Sequence, residues 1–312
     1  MHIIRTAALA AAILVVAPAA WAKDCDRQCL IDTADKYIAA LAAHDPGKAP
    51  LAKTVVTVEN IHRIQVGEGL WKTATGGATD FKILVPDPVS QEVGGIVMMS
   101  EDNKPIELGF RLKLDNGKIV EAEHVIARNL REAVMPNLQK PRGQFLQEVP
   151  EGYADSRERL IAIAKSYYDA VDDNNGDLGN FADDCERREN GIQTARNKIP
   201  DDTTGFSYLG ALGCAAQLDT QVMAYIDTIG NRRVEIADPV TGLVFGLSHF
   251  HHSMQQHDFP IIGVPGVTSR HLDNGPFDLP AAHIFKIWGG KTHGIEALGF
   301  VTDYNSPSGW EK

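Results

Sequence analysis

Residues 183–189 form a dense cluster of charge in the sequence, since six of the seven side chains in Asp183-Asp-Cys-Glu-Arg-Arg-Glu189 are ionisable as acids or bases. In a regular strand Arg187 and Glu189 share one face, and Asp184 lies at the entry of that strand. A carboxylate held beside an arginine inside a cavity can serve as a positioned acid–base pair. We therefore identify Asp184, Arg187 and Glu189 as candidate catalytic residues. The alternative is a solvated strand that carries surface ion pairs.

Histidines provide the second candidate group, because seven of the eleven lie between residues 249 and 293. His249 and His251 share a strand face by the period of two, and His283 falls on a strand expected to neighbour theirs. We expect His251 or His249 to act as a general base. For three further histidines of this region we expect a solvated loop: His252, His257 and His271.

A metal site is the alternative role for the same histidines. The sequence His249-Phe-His251 resembles a cupin motif, but the glutamate expected to follow it is missing. We therefore expect no metal and no organic cofactor. Tyr225, His283 and Phe285 are expected to bind the substrate.

Composition and missing motifs narrow the classes of function. The 312 residues are 44% hydrophobic and carry a formal net charge of −11, which argues against nucleic acid or an anionic membrane as the main partner. The chain contains no G-x-G-x-x-G, no phosphate-binding G-x-x-x-x-G-K-[ST] and no G-x-S-x-G. Nucleotide-binding folds and serine hydrolases thus have no support.

The first 22 residues have the pattern of a secretory signal peptide. Arg5 precedes an apolar stretch at 7–20, and Ala20-Trp-Ala22 supplies small residues for cleavage after Ala22. No later stretch is long enough to span a bilayer. We therefore expect a periplasmic or secreted protein.

All four cysteines lie after that cleavage site, and an even number in an exported chain favours disulfides. Cys25 and Cys29 can close a local loop, and Cys185 and Cys214 can close a longer one.

An internal duplication is the strongest organising feature of the sequence. At an offset of 130 residues, Tyr37 aligns with Tyr167, and Glu59-Asn60 aligns with Glu189-Asn190. At an offset of 173, the segment 113–118 aligns with 286–291. Both copies of the Glu-Asn pair suggest a structural role, such as capping a helix or a turn.

Each copy begins with apolar residues at helical spacing and ends with a Gly-containing hairpin turn, with β-rich stretches between them. This order predicts an α+β fold rather than alternating βαβ units. We predict a first domain at 23–135, a linker at 136–156 and a second domain at 157–312. The second copy has 43 extra residues, in insertions within 194–220 and 252–280 that are typical of functional loops.

These segments resemble the NTF2-like (SnoaL-like) superfamily and, within it, a secreted subfamily with two such domains in tandem. The resemblance rests on the segments 160–171, 181–191, 242–251 and 282–298, and on Gly67-Glu-Gly-Leu-Trp71 and Ser308-Gly-Trp310. It implies cone-shaped α+β barrels in which a curved sheet wraps an N-terminal helix and encloses an apolar pocket. It also implies that domains dimerise through their sheets, so that a tandem copy contains that dimer within one chain. A homo-oligomer through sheet faces is a further expectation.

The resemblance implies a choice among cofactor-free isomerases, dehydratases, lyases and cyclases and non-catalytic binding modules. We predict general acid–base chemistry on a small apolar or aromatic oxygenated compound in the second domain. Asp184 and Glu189 would orient the base or act as the acid, and Arg187 would bind an oxyanion or carboxylate. The alternatives are a small-molecule-binding or protein-interaction module and a His-ligated metalloenzyme.

Overall fold

The computed structural model describes residues 24–201 and 203–311. The predicted signal peptide, residues 1–22, lies outside the described residues. Over the two described ranges, the structure has no helix long and apolar enough to cross a membrane.

The first unit is an N-terminal helix packed on a curved sheet. Its helices are α1 (Arg27–Ala42) and α2 (Leu70–Thr73), and its strands are β1 (Leu51–Glu59), β2 (His62–Ile64), β3 (Ala74–Gly76), β4 (Lys82–Asp87), β5 (Glu92–Glu101), β6 (Lys104–Asp115) and β7 (Lys118–Ala127). The strand order is β2-β1-β7-β6-β5-β3, with β4 also paired to β5. Only the β1–β7 pairing is parallel among the strand pairs of this sheet in the described residues.

The second unit repeats that plan with additional elements. Its helices are α3 (Arg157–Asp172), α4 (Phe206–Leu209) and α5 (Cys214–Asp219), and its strands are β8 (Phe181–Glu189), β9 (Ile192–Ala195), β10 (Thr228–Asp238), β11 (Leu243–His252), β12 (Asp258–Pro260), β13 (Ser269–His271), β14 (Phe277–Trp288), β15 (Lys291–Gly299) and β16 (Thr302–Asp303). The main sheet has the order β10-β11-β14-β15-β8-β9, and β16 pairs with β14. Strands β12 and β13 form a separate two-stranded sheet inside the 252–280 insertion.

The helix of each unit forms where a cap and an apolar face coincide. The Asp26 carboxylate caps α1 by accepting the Cys29 N–H at 2.9 Å, and the Ser156 hydroxyl accepts the Arg159 N–H at the start of α3. One side of each helix is buried against its sheet. The predicted α+β class, with a curved sheet around an N-terminal helix in each half, is confirmed.

The elements of the two units coincide in sequence at the predicted offsets. Helix α3 and strand β8 follow α1 and β1 by 130 residues, and β14 and β15 follow β6 and β7 by 173. The middle strands β5 and β11 are offset by 151, so the extra residues of the second unit fall on both sides of β11. The predicted hairpin turns are also present, with positive φ at Asn116-Gly117 and at Gly289-Gly290. The domain boundaries stay a prediction.

The two sheets pack face to face, which produces a third core between the cores inside the units. This shared core includes Ile96 of the first sheet and Phe245 of the second. Contact is so close at Gly94 that a Cβ there would lie 2.3 Å from Cγ of Phe245. The predicted dimer-like arrangement through sheet faces therefore occurs within one chain, whereas a homo-oligomer stays a prediction.

Two ion pairs repeat symmetrically across this junction. The Arg27 guanidinium at the start of α1 is 2.8 Å from Asp238, and that of Arg157 at the start of α3 is 2.8 Å from Asp87. The two pairs are equivalent by the repeat. Arg157 follows Arg27 by 130 residues, and Asp238 follows Asp87 by 151 residues. The first residue of each helix thus binds the other unit's sheet.

Both predicted disulfides, Cys25–Cys29 and Cys185–Cys214, are present. The longer one ties β8 to α5, which belongs to the 194–220 insertion. It therefore fixes the inserted segment against the charged strand.

Candidate functional site

A cavity of about 130 Å³ lies inside the second unit, between α3 and the inner face of the sheet. Its walls are largely apolar, with a few polar side chains among them, as is typical of ligand sites. The volume is below the roughly 300–1,000 Å³ of pockets for drug-sized ligands, so it suits a small compound. The lining residues are Tyr167, Val171, Glu189, Asn190, Met223, Tyr225, Ile226, Phe250, His252, Leu279, His283, Ala297, Leu298 and Gly299.

Arg187 and Glu189 share the inner face of β8, as the sequence predicts. The Arg187 Nε lies 2.6 Å from Glu189 Oε1, and the guanidinium also donates to Thr194 and Gln217. Arg187 is fully buried, whereas the Glu189 side chain is 42% exposed at the cavity. The carboxylate thus faces the ligand space while the arginine holds it from behind.

The charge on Arg187 persists in this environment. Burial alone lowers the pKa of Arg187, but the Glu189 carboxylate and the nearby Tyr167 and Tyr225 outweigh it and raise the pKa above its ordinary value. A buried guanidinium of this kind needs its carboxylate partner, because an unpaired buried charge is costly.

Two tyrosine hydroxyls at the cavity remain protonated. Burial raises the pKa of both Tyr167 and Tyr225, and the Glu189 carboxylate adds to the effect on each. The Tyr225 hydroxyl donates to the Met223 thioether at 3.7 Å, which is a weak acceptor, so it can donate to a ligand oxygen instead. The Arg270 guanidinium lies 4.6 Å from the centre of the Tyr225 ring and fixes it.

His283 lies at the cavity, as predicted, in a neutral state. Burial, together with the charge on Arg187, lowers the pKa of His283 to about 3. Its ring stacks on Phe285 at 5.8 Å between centroids. Phe285 packs against Tyr167 and His283 and does not line the cavity. The structure therefore does not place it where it was predicted to contact a substrate.

His252 lines the cavity, although the sequence suggested a solvated loop for it. It closes β11, lies between the rings of Phe277 and Tyr225, and is 2% exposed. Its Nδ1 has no hydrogen-bond partner among the described residues. Burial lowers the pKa of His252 to about 4. The other two residues of that prediction, His257 and His271, are exposed as expected.

His249 and His251 lie on the opposite face of β11 from the cavity. The expected grouping of these histidines with Glu189 is therefore absent from the structure. Phe250 and His252 point inward, and the odd-numbered residues of the strand point outward by strand alternation. Both outward histidines contact the Asp278 carboxylate, at 3.3 Å for His249 and 2.8 Å for His251.

Asp184 is likewise outside the cavity. It occupies the outer face of β8, its side chain is 58% exposed, and its Oδ1 lies 2.6 Å from Nδ1 of His293. The predicted five-residue catalytic group is therefore divided over three places. Of the five, Glu189 lines the cavity, and Arg187 lies behind it.

The matching space in the first unit is filled by side chains. His124 of β7 occupies the position of Ala297, and its ring bridges the Tyr37 hydroxyl at 2.9 Å and the Glu59 carboxylate at 3.2 Å. Trp71 packs edge-on against Tyr37. Replacement of an imidazole by the methyl group of Ala297 accounts for part of the space in the second unit.

The repeated Glu-Asn pair is partly structural. Asn60 and Asn190 each clasp the backbone of the last strand of the repeat, through Ile126 and Gly299 respectively. Glu59 accepts the N–H of Leu70 at the start of α2. The asparagines thus keep the predicted structural role in both units, whereas the two glutamates differ in their surroundings.

Comparisons with known proteins give limited similarity. Residues 153–299 match a family described as a domain of unknown function (DUF8021), and no curated protein matches the chain. A structure from Silicibacter sp. TM1040 described as a "putative polyketide cyclase" is similar at 14% identity and a TM-score of 0.30, over 47% of this chain and 91% of that one. A second so described, from Xanthomonas campestris pv. campestris, is similar at 18% identity and a TM-score of 0.28, over 46% and 90%.

Proposed function

We propose that the protein is a periplasmic or secreted enzyme that works without an organic cofactor and removes a proton next to an oxygenated carbon of a small apolar or aromatic compound. Isomerases, dehydratases and lyases share this step. The observation that carries the proposal is the Glu189 carboxylate, which is held by the buried Arg187 and faces an otherwise mostly apolar cavity.

Glu189 is the proposed base. Its carboxylate is partly exposed to the cavity, so a bound C–H group can come within the 2.6–3.2 Å reach that proton transfer requires. The Arg187 contact at 2.6 Å fixes the carboxylate before substrate binds, which reduces the reorganisation needed for reaction. We do not include three residues that the sequence favoured, because their side chains lie on the outer faces of their strands: Asp184, His249 and His251.

Tyr225 is the proposed donor to the substrate oxygen. Its raised pKa keeps the hydroxyl protonated, and its present acceptor is only a thioether. An O–H group aimed at a developing enolate oxygen stabilises negative charge in the transition state. Phe250 and the neutral His283, whose rings are tilted by 33° to each other, supply an aromatic wall on which a ring can pack.

Deuterium exchange tests the proposal, because proton removal next to a carbonyl exchanges that position in D₂O. The probes are cyclohexanone, acetophenone and 1-indanone, followed by NMR with the mature protein. We expect exchange of at least one ketone above the buffer rate. Glu189→Gln should lower it by about 100-fold or more, the usual contribution of a positioned base. Glu151→Gln, at an exposed turn, is the matched control.

A second variant guards against an effect of misfolding. Ala297→His copies the filled arrangement of the first unit and should abolish exchange by occupying the cavity, with Glu189 intact. Exchange at the buffer rate for all three ketones with wild-type protein, or equal rates in wild type and Glu189→Gln, would refute the proposal. Ketone binding without exchange would instead support the binding-module alternative.

A further inference from the structure

We propose that His249, His251 and Asp278 bind one Zn²⁺ ion on the outer face of the second sheet. One ligand atom from each residue lies within 4.8 Å of the others. Because this group is on the other side of β11 from the cavity, the proposal is independent of the proposed catalytic function.

The strand register brings the three side chains together. His249 and His251 are two residues apart on β11, and His251 pairs directly with Asp278 on β14. The two imidazoles are stacked, with a 6° angle between planes and 4.9 Å between centroids, so both rings present their edges to the same carboxylate. Two imidazole nitrogens and one carboxylate oxygen are a ligand set that zinc accepts with a fourth position open.

Each imidazole nitrogen lies near one oxygen of the Asp278 carboxylate, and the two nitrogens approach different oxygens. In a tetrahedral site, ligands about 2.0–2.2 Å from zinc are separated by roughly 3.3–3.6 Å. His249 Nε2 is 3.3 Å from Asp278 Oδ2, and His251 Nδ1 is 2.8 Å from Asp278 Oδ1. Because the 2.8 Å contact is shorter than the separation of two zinc ligands, His251 and Asp278 must move apart to seat the ion. The His251 side chain is 22% exposed, which gives the ion a path from solvent.

The charge balance favours a cation at this place. Asp278 is fully buried, and within the described ranges its ion-pair partners are these two histidines, with no lysine or arginine in reach. A buried carboxylate without a cation is costly. A divalent ion supplies that charge.

The C-terminal segment supplies a supporting hydrogen bond of the kind that orients metal ligands. The Ser306 N–H donates to Asp278 Oδ2 at 2.9 Å and orients the carboxylate. The Ser306 Oγ lies 3.1 Å from His249 Nε2, the atom that would bind the ion, so this contact gives way to zinc. The open zinc position would therefore face Ser306 or a water molecule next to it.

The first unit offers an internal comparison. The positions equivalent to the three ligands, at offsets of 151 and 173, hold Met98, Ser100 and Pro105. The repeat architecture thus does not require these residue types. All three changes to ligating side chains occur together in the second unit.

Calorimetric titration of Zn²⁺ into the mature protein, after dialysis against EDTA, tests the proposal. We expect one zinc per chain, and we expect Asp278→Asn and His251→Gln each to weaken binding by about 100-fold or more, beyond what loss of a supporting hydrogen bond produces. His271→Gln is the matched control, because His271 also contacts two aspartates but lies on the exposed insertion. Co²⁺ bound to wild-type protein should give the visible spectrum of a tetrahedral site.

Failure of wild-type protein to bind zinc stoichiometrically would overturn the proposal. So would equal affinities in His251→Gln, Asp278→Asn and His271→Gln, or a six-coordinate Co²⁺ spectrum. Circular dichroism establishes that each variant is folded, and the Co²⁺ measurement needs no variant. In the case of an overturned site, the His249–Asp278–Ser306 contacts would serve only to anchor the C-terminal segment.

Discussion

Replacement of His283 by phenylalanine should make the protein more resistant to acid than wild type. His283 is fully buried, and burial lowers its pKa from 6.5 to about 3. The folded state therefore excludes a proton that the unfolded chain binds readily below pH 6.5. Phenylalanine removes this titration, and Phe110 already occupies the equivalent position of the first unit, so the side chain suits the architecture.

The size of the effect follows from the two pKa values. At pH 7 the unfolded histidine is mostly neutral, so the titration contributes little. Below pH 6.5, protonation of this histidine stabilises the unfolded state over the folded state by about 1.4 kcal/mol for each pH unit. At about pH 5 the stabilisation is about 2 kcal/mol in favour of unfolding. Since the folded pKa lies well below 5, the figure changes little if that pKa is one unit higher. Wild type therefore loses this stability progressively as the pH is lowered from 6.5 to about 3.

Urea denaturation with intact disulfides at both pH values measures this effect. Between pH 7 and pH 5, the unfolding free energy of His283→Phe should rise by about 2 kcal/mol relative to that of wild type. Other titrating groups cancel in that difference, and His62→Gln, at an exposed position, should show no such movement. An unchanged difference between the two pH values would mean that His283 is not held neutral by burial.

Three further predictions concern stability. Replacing Cys185 and Cys214 by serine should lower the unfolding free energy by about 3.5 kcal/mol, because the bond closes a 29-residue separation; an equally stable variant in the same denaturation assay would contradict this. Gly94→Ala should cost about 1–3 kcal/mol through its clash with Phe245, and Phe245→Leu should recover part of that loss. Glu189→Ala should cost about 3 kcal/mol, more than Glu189→Gln, because it leaves a buried guanidinium unpaired; equal costs by thermal denaturation would argue against the ion pair.

The sequence was informative wherever the two copies could be compared. The offsets of 130 and 173 predicted which helix, strand and hairpin of one unit correspond to those of the other. Arg187 and Glu189 share a strand face because two residues separate them, and this holds for any regular strand. The predicted signal peptide and the even number of cysteines favoured disulfides, and the short and long loops that the pairs can close suggested the pairing.

The orientation of β11 was beyond the reach of the sequence pattern. Both faces of this strand are buried, one by the helix and cavity of its own unit and the other by the first unit's sheet. Val244 and Phe250 point inward, whereas Phe245 and Leu247 point outward, so apolar residues follow one another without alternation. No signal of this kind distinguishes His252 from His251. The difference between His124 in the first unit and Ala297 in the second also gives no sign of a cavity in the sequence, because alanine is common in strands.

The location of a bound ketone tests whether the second unit, and not the first, holds the ligand site. Met223 lines the cavity, and Met99 lies in the core of the first unit at the position equivalent to Phe250. With ¹³C-methyl methionine in wild-type protein, acetophenone should shift the Met223 methyl resonance and leave that of Met99 in place. A shift at Met99 alone, or no shift at Met223 in protein that exchanges the ketone, would contradict a ligand site in the second unit.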